Sequence, residues 1–357
     1  MDISDTKDNE GERKMLNGKE YRDWIGKHMT LGKDLLYLSE AECRALPLDD
    51  QEVFDLTERA LVLYSAKQGV DMPAKIALHP VKDTFYHAMP CAVEEVSSVG
   101  IKWGSSYPAN RVNFGTRQAN ALVVYNDYLT GIPLAVMDGL YITEIRTPCV
   151  AFASAKYMAR PNTKTFGMIG CGIQGREHVR IVCNTLKELE TIYIYDMFED
   201  MMDKLIADLQ PKVPAKIVKA KSYEEVAKSC EVIATATAIP ENPVPAIKDE
   251  WIVSGQTLLL SDLHTLFEDV TMKRADKYTF DSLEQHRLME VYGYYPHGFP
   301  RFDGEIGEVC AGKKPGRERD DELIICNNIG MAVEDMMVLR IMFDRALETK
   351  AGRFVPL

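Results

Sequence analysis

Three glycines with regular spacing lie between an apolar segment and a helical one. Residues 165–169 are apolar and predict a short strand, and the chain then runs directly into a complete G-x-G-x-x-G. In this pattern the first glycine permits a tight turn, the second lets backbone N–H groups approach a pyrophosphate, and the third lets the following helix pack against the strand. The positive N-terminal end of that helix would favour the ligand's negative charge. The residues predicted to hold a dinucleotide here are Gly170, Gly172, Ile173, Gln174 and Gly175.

An acidic residue follows the next predicted strand. Residues 191–195 form that strand, and Asp196 stands at its end, where an acid is expected to bind the ribose 2′-OH of the dinucleotide. A carboxylate would repel a 2′-phosphate, so the pattern favours NAD over NADP. Thr235 and Thr237, at the carboxyl end of a further predicted strand, are expected to face the same crevice. A strand–helix–strand unit with a tight turn and no ligand is the alternative interpretation.

The composition restricts the class of protein. A chain of 357 residues with 46% hydrophobic residues suggests two domains with substantial cores. The net charge of −12 provides no basic face for phosphate backbones, which argues against nucleic acid as a partner. We find no apolar run of membrane-spanning length and no secretory signal in the sequence. Eight scattered cysteines without a C-x-x-C pair fit a reducing compartment, so we expect a cytoplasmic protein with no metal site.

The elements that must position these residues fall into two regions. From 72 to 139 the sequence is mostly strand and turn, which predicts an antiparallel or mixed sheet with a hairpin at 127–131. The later alternation of strands and helices predicts a doubly wound Rossmann domain, so the expected fold class is α/β with an additional α+β domain. A long apolar helix from 331 is expected to fold back across the domains or onto a partner subunit. The predicted divisions are an N-terminal extension at 1–30, the α+β domain at 31–145 with 325–357, and the Rossmann domain at 146–324.

The motifs along the chain together resemble the ornithine cyclodeaminase and mu-crystallin family, from about residue 35 to residue 357. The layout also resembles relatives that serve as an accessory component of tyramine oxidase. The resemblance implies a homodimer, a substrate and dimerisation role for the α+β domain, and hydride exchange between a nicotinamide and the α-carbon of an amino acid or its imine. Family members include cyclodeaminases, alanine dehydrogenases and ketimine reductases, and others are accessory or hormone-binding proteins. The motifs are MPAK, GIKW, TGIPLAVMDG, ITEIRTPC, MIGCGIQG, EIGEV, GKKPGR and NIGMAVED.

Two cationic residues match substrate-binding positions of the family. Lys102 in GIKW corresponds to its substrate lysine, and Arg146 in EIRT corresponds to its carboxylate-binding arginine. A guanidinium holds a carboxylate through two parallel hydrogen bonds, and a nearby ammonium can stabilise the charge or exchange a proton with an imine nitrogen. By residue type alone, Lys102 could instead be a solvated strand lysine and Arg146 could form an ion pair on a helix surface.

Two positions depart from the family pattern. Lys75 in MPAK stands where the family usually has an arginine that binds the substrate carboxylate, which keeps the charge but loses the two-point geometry. His264 stands where cyclodeaminases have a catalytic aspartate, and Asp262 lies two residues earlier. A neutral histidine can act as a base near pH 7 but is a poor counterion for the distal ammonium of ornithine, so cyclodeamination of ornithine is in doubt. The alternatives are an ordinary loop histidine at 264 and a shifted loop that brings Asp262 into the site.

Other candidates have weaker signals. Thr116 and the two residues after it fall where relatives contact the cofactor or the substrate. Asn328 and Ile329 fall where the last strand of the Rossmann sheet closes the pocket, and they are candidate substrate-binding residues. His79 and His87 alternate with apolar residues in predicted strands, which favours packing in the core or at an interface.

These residues favour an NAD(H)-dependent oxidoreductase acting on a small amino acid or its cyclic or ketimine form. Arg146, Lys102 and Lys75 would hold the carboxylate, and Lys102 or His264 would transfer the proton. One alternative is ornithine cyclodeaminase proper, which converts L-ornithine to L-proline and ammonia with the hydride leaving and returning in one turnover. The other is a nucleotide-binding accessory subunit without turnover of its own, which would work with a second polypeptide.

Overall fold

The computed structural model describes residues 15–240, 243–263 and 265–357, and it contains two eight-stranded sheets. The first sheet consists of β1 (Asp34–Leu38), β2 (Val70–Asp71), β3 (Ile76–Leu78), β4 (Phe85–Val93), β5 (Ser98–Ser106), β6 (Ala119–Asp127), β7 (Pro133–Asp138) and, at the end of the chain, β16 (Arg353–Pro356). Its order is β16-β1-β7-β6-β5-β4-β2, with β3 paired to β4. The β1–β7 pair is parallel and the other pairs are antiparallel.

The predicted hairpin joins β6 and β7. Gly131 adopts a φ of 73°, which favours glycine, and its N–H donates to the carbonyl oxygen of Asp127 over 2.8 Å. On β4, β5 and β6 the side chains alternate between two faces of the sheet. One face is covered by the protein itself, and the other is partly exposed.

The second sheet is parallel throughout and consists of β8 (Thr165–Ile169), β9 (Thr191–Tyr195), β10 (Lys216–Lys219), β11 (Val232–Thr235), β12 (Thr257–Leu260), β13 (Lys277–Phe280), β14 (Gly304–Glu305) and β15 (Ile324–Asn327). Its order is β10-β9-β8-β11-β12-β15-β13-β14. Strands β11, β12 and β15 are buried along their whole length, as strands covered by helices on both faces are. The predicted doubly wound domain is confirmed, and its strand order reverses between β8 and β11.

Helices cover both sheets. Those of the first region and its surroundings are α1 (Gly18–Ile25), α2 (Glu40–Arg44), α3 (Asp50–Ser65), α4 (Asn110–Phe114) and α5 (Leu140–Met158). Those along the parallel sheet are α6 (Ile173–Thr185), α7 (Glu199–Leu209), α8 (Tyr223–Ser229), α9 (Asp269–Arg274), α10 (Leu283–Val291) and α11 (Ile306–Cys310), followed by α12 (Ala332–Thr349). A 3₁₀ turn spans Asp249–Trp251. Among the described residues, none of these helices is both long enough and apolar enough to cross a bilayer.

Two long helices pack against each other, and one of them contacts both sheets. α12 is buried on nearly every side and packs against α3, α5, β4 and β5, so it folds back into its own chain. α5 contacts both α6 and β12 of the parallel domain and also packs on α3. These two helices therefore bring side chains of both regions together at one place.

The sheets revise the predicted divisions of the chain. The division between 324 and 325 falls inside β15, which pairs with β12 and β13, so the Rossmann sheet continues through Asn327. Residues 15–30 are not separate from the first region, because Tyr21 and Ile25 of α1 are buried in its core. The hydroxyl of Tyr21 also donates to Asp344 Oδ1 of α12 over 2.8 Å. The remainder of the predicted extension, residues 1–14, lies outside the described residues.

Candidate active site

The glycine-rich loop leaves β8 in the predicted conformation. Gly170 has a φ of 95°, and a Cβ atom there would lie 2.6 Å from the carbonyl oxygen of Ala236. A Cβ atom at Gly175 would lie 1.7 Å from the carbonyl oxygen of Gly170, so glycine is needed for α6 to approach β8 this closely. The position of a Cβ atom on Gly172 borders open space. The three glycines thus supply the turn, the open approach and the close packing.

The first turn of α6 fits an anionic group. Gly172 is its N-cap and forms no side-chain capping bond, so the amides of the first turn, including those of Ile173 and Gln174, keep the donor capacity of a helix N-terminus. Together with the open space beside Gly172, this arrangement matches a pyrophosphate site.

Asp196 lies at the mouth of this loop. Its Oδ2 accepts a hydrogen bond from the Cys171 amide over 2.7 Å, and its Oδ1 accepts one from the Phe198 amide over 2.9 Å. The carboxylate is half-buried and therefore reachable from the crevice. The predicted contact with a ribose hydroxyl stays a prediction.

Asp262 is held at the carboxyl ends of β11 and β12. Thr235 donates its hydroxyl to Oδ1, and Thr237 donates its amide and hydroxyl to Oδ2 over 2.8 and 2.6 Å. Burial raises the pKa of Asp262, and the threonine hydrogen bonds oppose that shift. These contacts favour a structural role for Asp262 and Thr235, which are both buried. The predicted catalytic His264 lies outside the described residues.

Three cationic side chains meet where the sheets approach each other. Lys75, Lys102 and Arg146 are 4%, 3% and 4% exposed, although they come from separate elements. This burial excludes both a solvated strand lysine and a helix-surface ion pair. We refer to these three residues as the cationic cluster.

Two acidic residues at the start of α12 neutralise much of the cationic cluster. Asp335 Oδ1 accepts from Lys102 Nζ over 2.7 Å and from Arg146 Nε over 3.0 Å. Glu334 Oε2 accepts from Arg146 Nη1 over 2.8 Å. Burial raises the pKa of Glu334 to about 7, although Arg146 opposes this change. The acids therefore set the orientation of the guanidinium and of one ammonium.

Lys75 binds the turn that follows β15. Its Nζ donates to the carbonyl oxygens of Ile329 and Gly330 over 3.2 and 3.0 Å. Gly330 has a φ of 77°, and a Cβ atom there would lie 2.2 Å from Arg146 Nη1. The Gly330 amide donates to Asp281 Oδ2 over 2.6 Å. Glycine at position 330 therefore allows the turn and the cationic cluster to share this space.

The two buried ammonium groups have altered acidity. Burial lowers the pKa of Lys75 to about 8, against the effect of Asp281. Burial also lowers the pKa of Lys102 to about 8; Asp335 opposes this shift and Arg146 adds to it. Both lysines can therefore gain or lose a proton near neutral pH.

Thr143 connects the cationic cluster to the glycine-rich loop. Its hydroxyl accepts from Lys102 Nζ over 3.0 Å and donates to the Gly139 carbonyl oxygen over 2.9 Å. Its carbonyl oxygen accepts from Gln174 Nε2, also over 3.0 Å. The candidate substrate lysine and the candidate cofactor loop are thus joined through one residue of α5.

A sequence profile of the ornithine cyclodeaminase/mu-crystallin family matches residues 39–350. The chain belongs to this family. Alanine dehydrogenase of Archaeoglobus fulgidus is 30% identical over 327 residues, which cover 89% of this chain and 97% of that protein. An archaeal alanine dehydrogenase dimer with bound NAD has a TM-score of 0.79 at 28% identity, covering 90% of this chain and 99% of the other. The Δ1-pyrroline-2-carboxylate reductase of Thermococcus litoralis, solved with NADH and L-proline, has a TM-score of 0.78 at 27% identity. The match covers 90% of this chain and 100% of that one.

Asn328 and Ile329 border the cationic cluster of this family member. Asn328 donates from Nδ2 to Ser154 Oγ over 2.9 Å, whereas its buried Oδ1 has no hydrogen-bond partner among the described residues. Ile329 contributes the carbonyl oxygen that binds Lys75. Both predicted positions therefore lie at the site.

Thr116 lies apart from the cationic cluster, on the exposed segment that follows α4. Its amide donates to the carbonyl oxygen of Asn110, the first residue of α4, over 3.3 Å. Arg111 of α4 reaches the parallel domain, where it pairs with Asp200 over 3.2 Å and lies over the Phe198 ring. The segment thus lies beside the loop that carries Asp196, and a cofactor contact by Thr116 stays a prediction.

Sequence reasoning missed several residues of the site in this family member. They are Thr143, Asp281, Glu334 and Asp335. The available signal was the end of NIGMAVED, where two adjacent acids occupy the first turn of a largely apolar helix. Acidic residues buried in such a helix require cationic partners.

Among the described residues, no group of three or more His, Cys, Asp or Glu side chains is arranged to hold a metal ion.

Proposed function

We propose that this protein is an NAD(H)-dependent oxidoreductase that exchanges a hydride with the α-carbon of an amino acid or of the matching imine. The path from Lys102 through Thr143 to Gln174 carries the proposal, because it joins a buried ammonium to the glycine-rich loop. Relatives named alanine dehydrogenase and Δ1-pyrroline-2-carboxylate reductase support this reaction class.

The cofactor is NAD. Bound NAD⁺ supplies a hydride acceptor, and bound NADH supplies a hydride donor. The amides at the start of α6 would hold the pyrophosphate, and the open space at Gly172 would leave room for it. Asp196 would accept a hydrogen bond from a ribose hydroxyl and would repel a 2′-phosphate, which would select NAD over NADP.

The cationic cluster binds the substrate carboxylate. Lys75 and Arg146 supply the positive charge, and Glu334 and Asp335 hold the guanidinium in place. The free Oδ1 of Asn328 can accept a hydrogen bond from the substrate nitrogen. These contacts fix the α-carbon relative to the cofactor loop.

Lys102 transfers the proton that must accompany the hydride. In the reductive direction its ammonium donates a proton to the imine nitrogen, and in the oxidative direction its neutral amine accepts one from the substrate ammonium. A pKa of about 8 keeps both forms of Lys102 accessible near neutral pH. Asp335 and Thr143 orient Nζ for this role.

The active form is a homodimer that uses the exposed face of the first sheet. Three apolar side chains on this face are exposed: Ile76 by 59%, Trp103 by 41% and Leu122 by 53%. The strand register places them in one row across β3, β5 and β6, and Ala88 is the member of that row on β4. An apolar patch of this kind is typical of a protein interface. The NAD-bound archaeal alanine dehydrogenase is also a dimer.

The function can be tested with purified protein by NADH fluorescence and absorbance. The substrates are L-amino acids with NAD⁺, and cyclic imines or keto acids with ammonia and NADH; NADPH is run in parallel. We expect turnover in the wild type and a loss of at least about 100-fold in Lys102→Ala and Arg146→Ala. Lys228→Ala, on the exposed face of α8, is the matched control. NADH binding without turnover of any substrate would favour the accessory-subunit alternative.

Ornithine cyclodeamination is less well supported. It requires an acid for the distal ammonium of ornithine, and the carboxylate of Asp262 is already bound by Thr235 and Thr237. Formation of proline and ammonia from L-ornithine without net NADH production would nevertheless identify that reaction.

A further inference from the structure

On the covered face of the first sheet, neighbouring cross-strand rows differ in charge and in side-chain size. In the row that contains Lys102, Met89 and Val123 are its direct neighbours on β4 and β6, and all three are buried. Lys75 directly precedes β3, and its positive charge adds to the effect of burial in lowering the pKa of Lys102. The row therefore forms the closed, charged end of the site.

The next row on the same face is formed by small residues and one imidazole. Ala77, His87, Gly104 and Ala121 are opposite one another on β3, β4, β5 and β6, and all four are half-buried. Residues two positions apart on a strand share a face, so this row adjoins that of Lys102. The partial exposure of these four residues indicates that other side chains do not fill all of the volume above them, and His87 is the one polar side chain in the row.

His87 is half-buried on this face, and the predicted packing in the core or at an interface stays a prediction. Its ring stacks on Phe85 with centroids 4.2 Å apart. Burial, together with the positive charges of Lys75, His79 and Lys102, holds the pKa of His87 well below its usual range. The imidazole is therefore neutral at physiological pH and lies in the field of the cationic cluster.

The parallel domain contributes an aromatic wall beside this row. Tyr292 accepts a hydrogen bond from the Ala77 amide over 3.3 Å, and its ring meets that of His79 edge-on at 5.5 Å. Tyr294 lies 6.3 Å from the same histidine ring and packs in an apolar group that also includes Ile329. Aromatic and apolar groups therefore line the space between the two domains.

We propose that Ala77, His87, Gly104 and Ala121 form the subsite for the substrate side chain, and that His87 makes this protein specific for amino acids with a bulky, uncharged, aromatic side chain. The proposal rests on the proposed function. The row has room for a ring, and neutral His87 can stack on it or hydrogen-bond to it. The nearby cations and the lack of a carboxylate in these four residues disfavour a distal ammonium such as that of ornithine.

Gly104 offers a direct way to fill the subsite. A Cβ atom there would lie 3.6 Å from the Ala121 Cβ, which is an ordinary contact, so Gly104→Val adds volume above the sheet without a backbone clash. His87→Ala removes the imidazole. His28 is exposed on the segment that follows α1, so His28→Ala is the control for loss of a histidine away from the subsite.

The experiment compares kcat/KM for L-phenylalanine, L-alanine and L-ornithine with NAD⁺ in these variants. We expect the wild type to have its highest kcat/KM with phenylalanine. Gly104→Val and His87→Ala should each lower kcat/KM for phenylalanine about 10-fold or more, and kcat/KM for alanine should change less than about 3-fold. His28→Ala should match the wild type. A wild type that prefers ornithine, or an equal loss for phenylalanine and alanine, would overturn the subsite and leave the oxidoreductase intact.

A binding measurement separates this subsite from the catalytic proposal. L-Phenylalanine should raise the thermal midpoint of the NADH-loaded wild type, and Gly104→Val should lose that shift, whether or not turnover occurs. If no substrate is turned over but this pattern holds, the proposed reaction fails and the subsite stands. If phenylalanine does not stabilise the NADH-loaded wild type, the subsite is refuted.

Discussion

Asp335 Oδ1 lies 2.7 Å from Lys102 Nζ, and both side chains are buried between the sheet of the first region and α12. The same oxygen accepts from Arg146 Nε over 3.0 Å. One carboxylate therefore orients both the group proposed to transfer the proton and the group proposed to bind the substrate carboxylate.

Removal of the Asp335 charge should destabilise the protein. Asp335→Asn leaves two buried cations partly uncompensated, so we expect a loss of about 3 kcal/mol or more in the free energy of unfolding, measured by chemical denaturation. Glu224→Gln, which breaks the exposed pair with Lys228, should leave the midpoint almost unchanged. Equal stability of the Asp335→Asn variant and the wild type would contradict the ion-pair arrangement.

The rate of amino acid oxidation should depend on the protonation of Lys102. Its pKa of about 8 is below the ordinary value for lysine, so the neutral amine that accepts a proton becomes the major form above about pH 8. We expect kcat/KM for oxidation to rise with pH up to that region, and kcat/KM for imine reduction to fall through it.

Lys75 also has a pKa of about 8, so a break near pH 8 in the profile of kcat/KM against pH can belong to both lysines together. Two variants identify the titrating group. Lys75→Arg keeps a permanent charge and should retain the break near pH 8. Lys102→Arg should remove both the break and most of the activity. Retention of the break in Lys102→Arg would assign the proton transfer to another group.

Gly330→Ala should disturb substrate binding. The new Cβ atom would lie 2.2 Å from Arg146 Nη1, and the residue has a φ of 77°, so the guanidinium must move. Gly293 has a comparable φ of 87° but open space around it, which makes Gly293→Ala the control for backbone strain alone. We expect both variants to lose about 1 kcal/mol or more of stability from strain. An increase in the substrate KM is expected only for Gly330→Ala, and equal KM values would argue against Arg146 as a substrate ligand.

A charge on the exposed face of the first sheet should dissociate the proposed dimer. Trp103→Glu places a carboxylate in the apolar row, where it would be buried without a partner in the assembled form. Light scattering coupled to size-exclusion chromatography should report a dimer for the wild type and a monomer for the variant. Val291→Glu, at an exposed position of α10, should remain dimeric. A wild-type monomer would refute the proposed assembly.

Local patterns were sufficient to predict the Rossmann domain and its glycine-rich loop. The roles of Gly170 and Gly175 follow from contacts within one strand–helix unit, which the sequence encodes over a few residues. The α+β region was predicted for the same reason, since its strands alternate and its hairpin has a turn sequence. Family motifs added Lys102 and Arg146, and both residues lie in the buried cationic cluster.

Contacts between distant segments were not predictable in this way. Nothing in the periodicity of α12 assigns Asp335 to Lys102, because the pairing depends on how that helix crosses the sheet. The pattern around His87 gave its alternation but not the nearby charges of Lys75 and Lys102, which come from other segments. Asp262 had the expected strand-end position, yet the neighbouring threonines engage its carboxylate.

Transfer of deuterium from NADH labelled at C4 of the nicotinamide tests the central proposal most directly. The purified protein is incubated with labelled NADH and a cyclic imine or a keto acid with ammonia, and the amino acid product is examined by mass spectrometry and NMR. The proposed function predicts one deuterium at the α-carbon of the product, and no labelled product with Lys102→Ala. Product that carries no deuterium, or deuterium at another carbon, would contradict hydride transfer to the α-carbon.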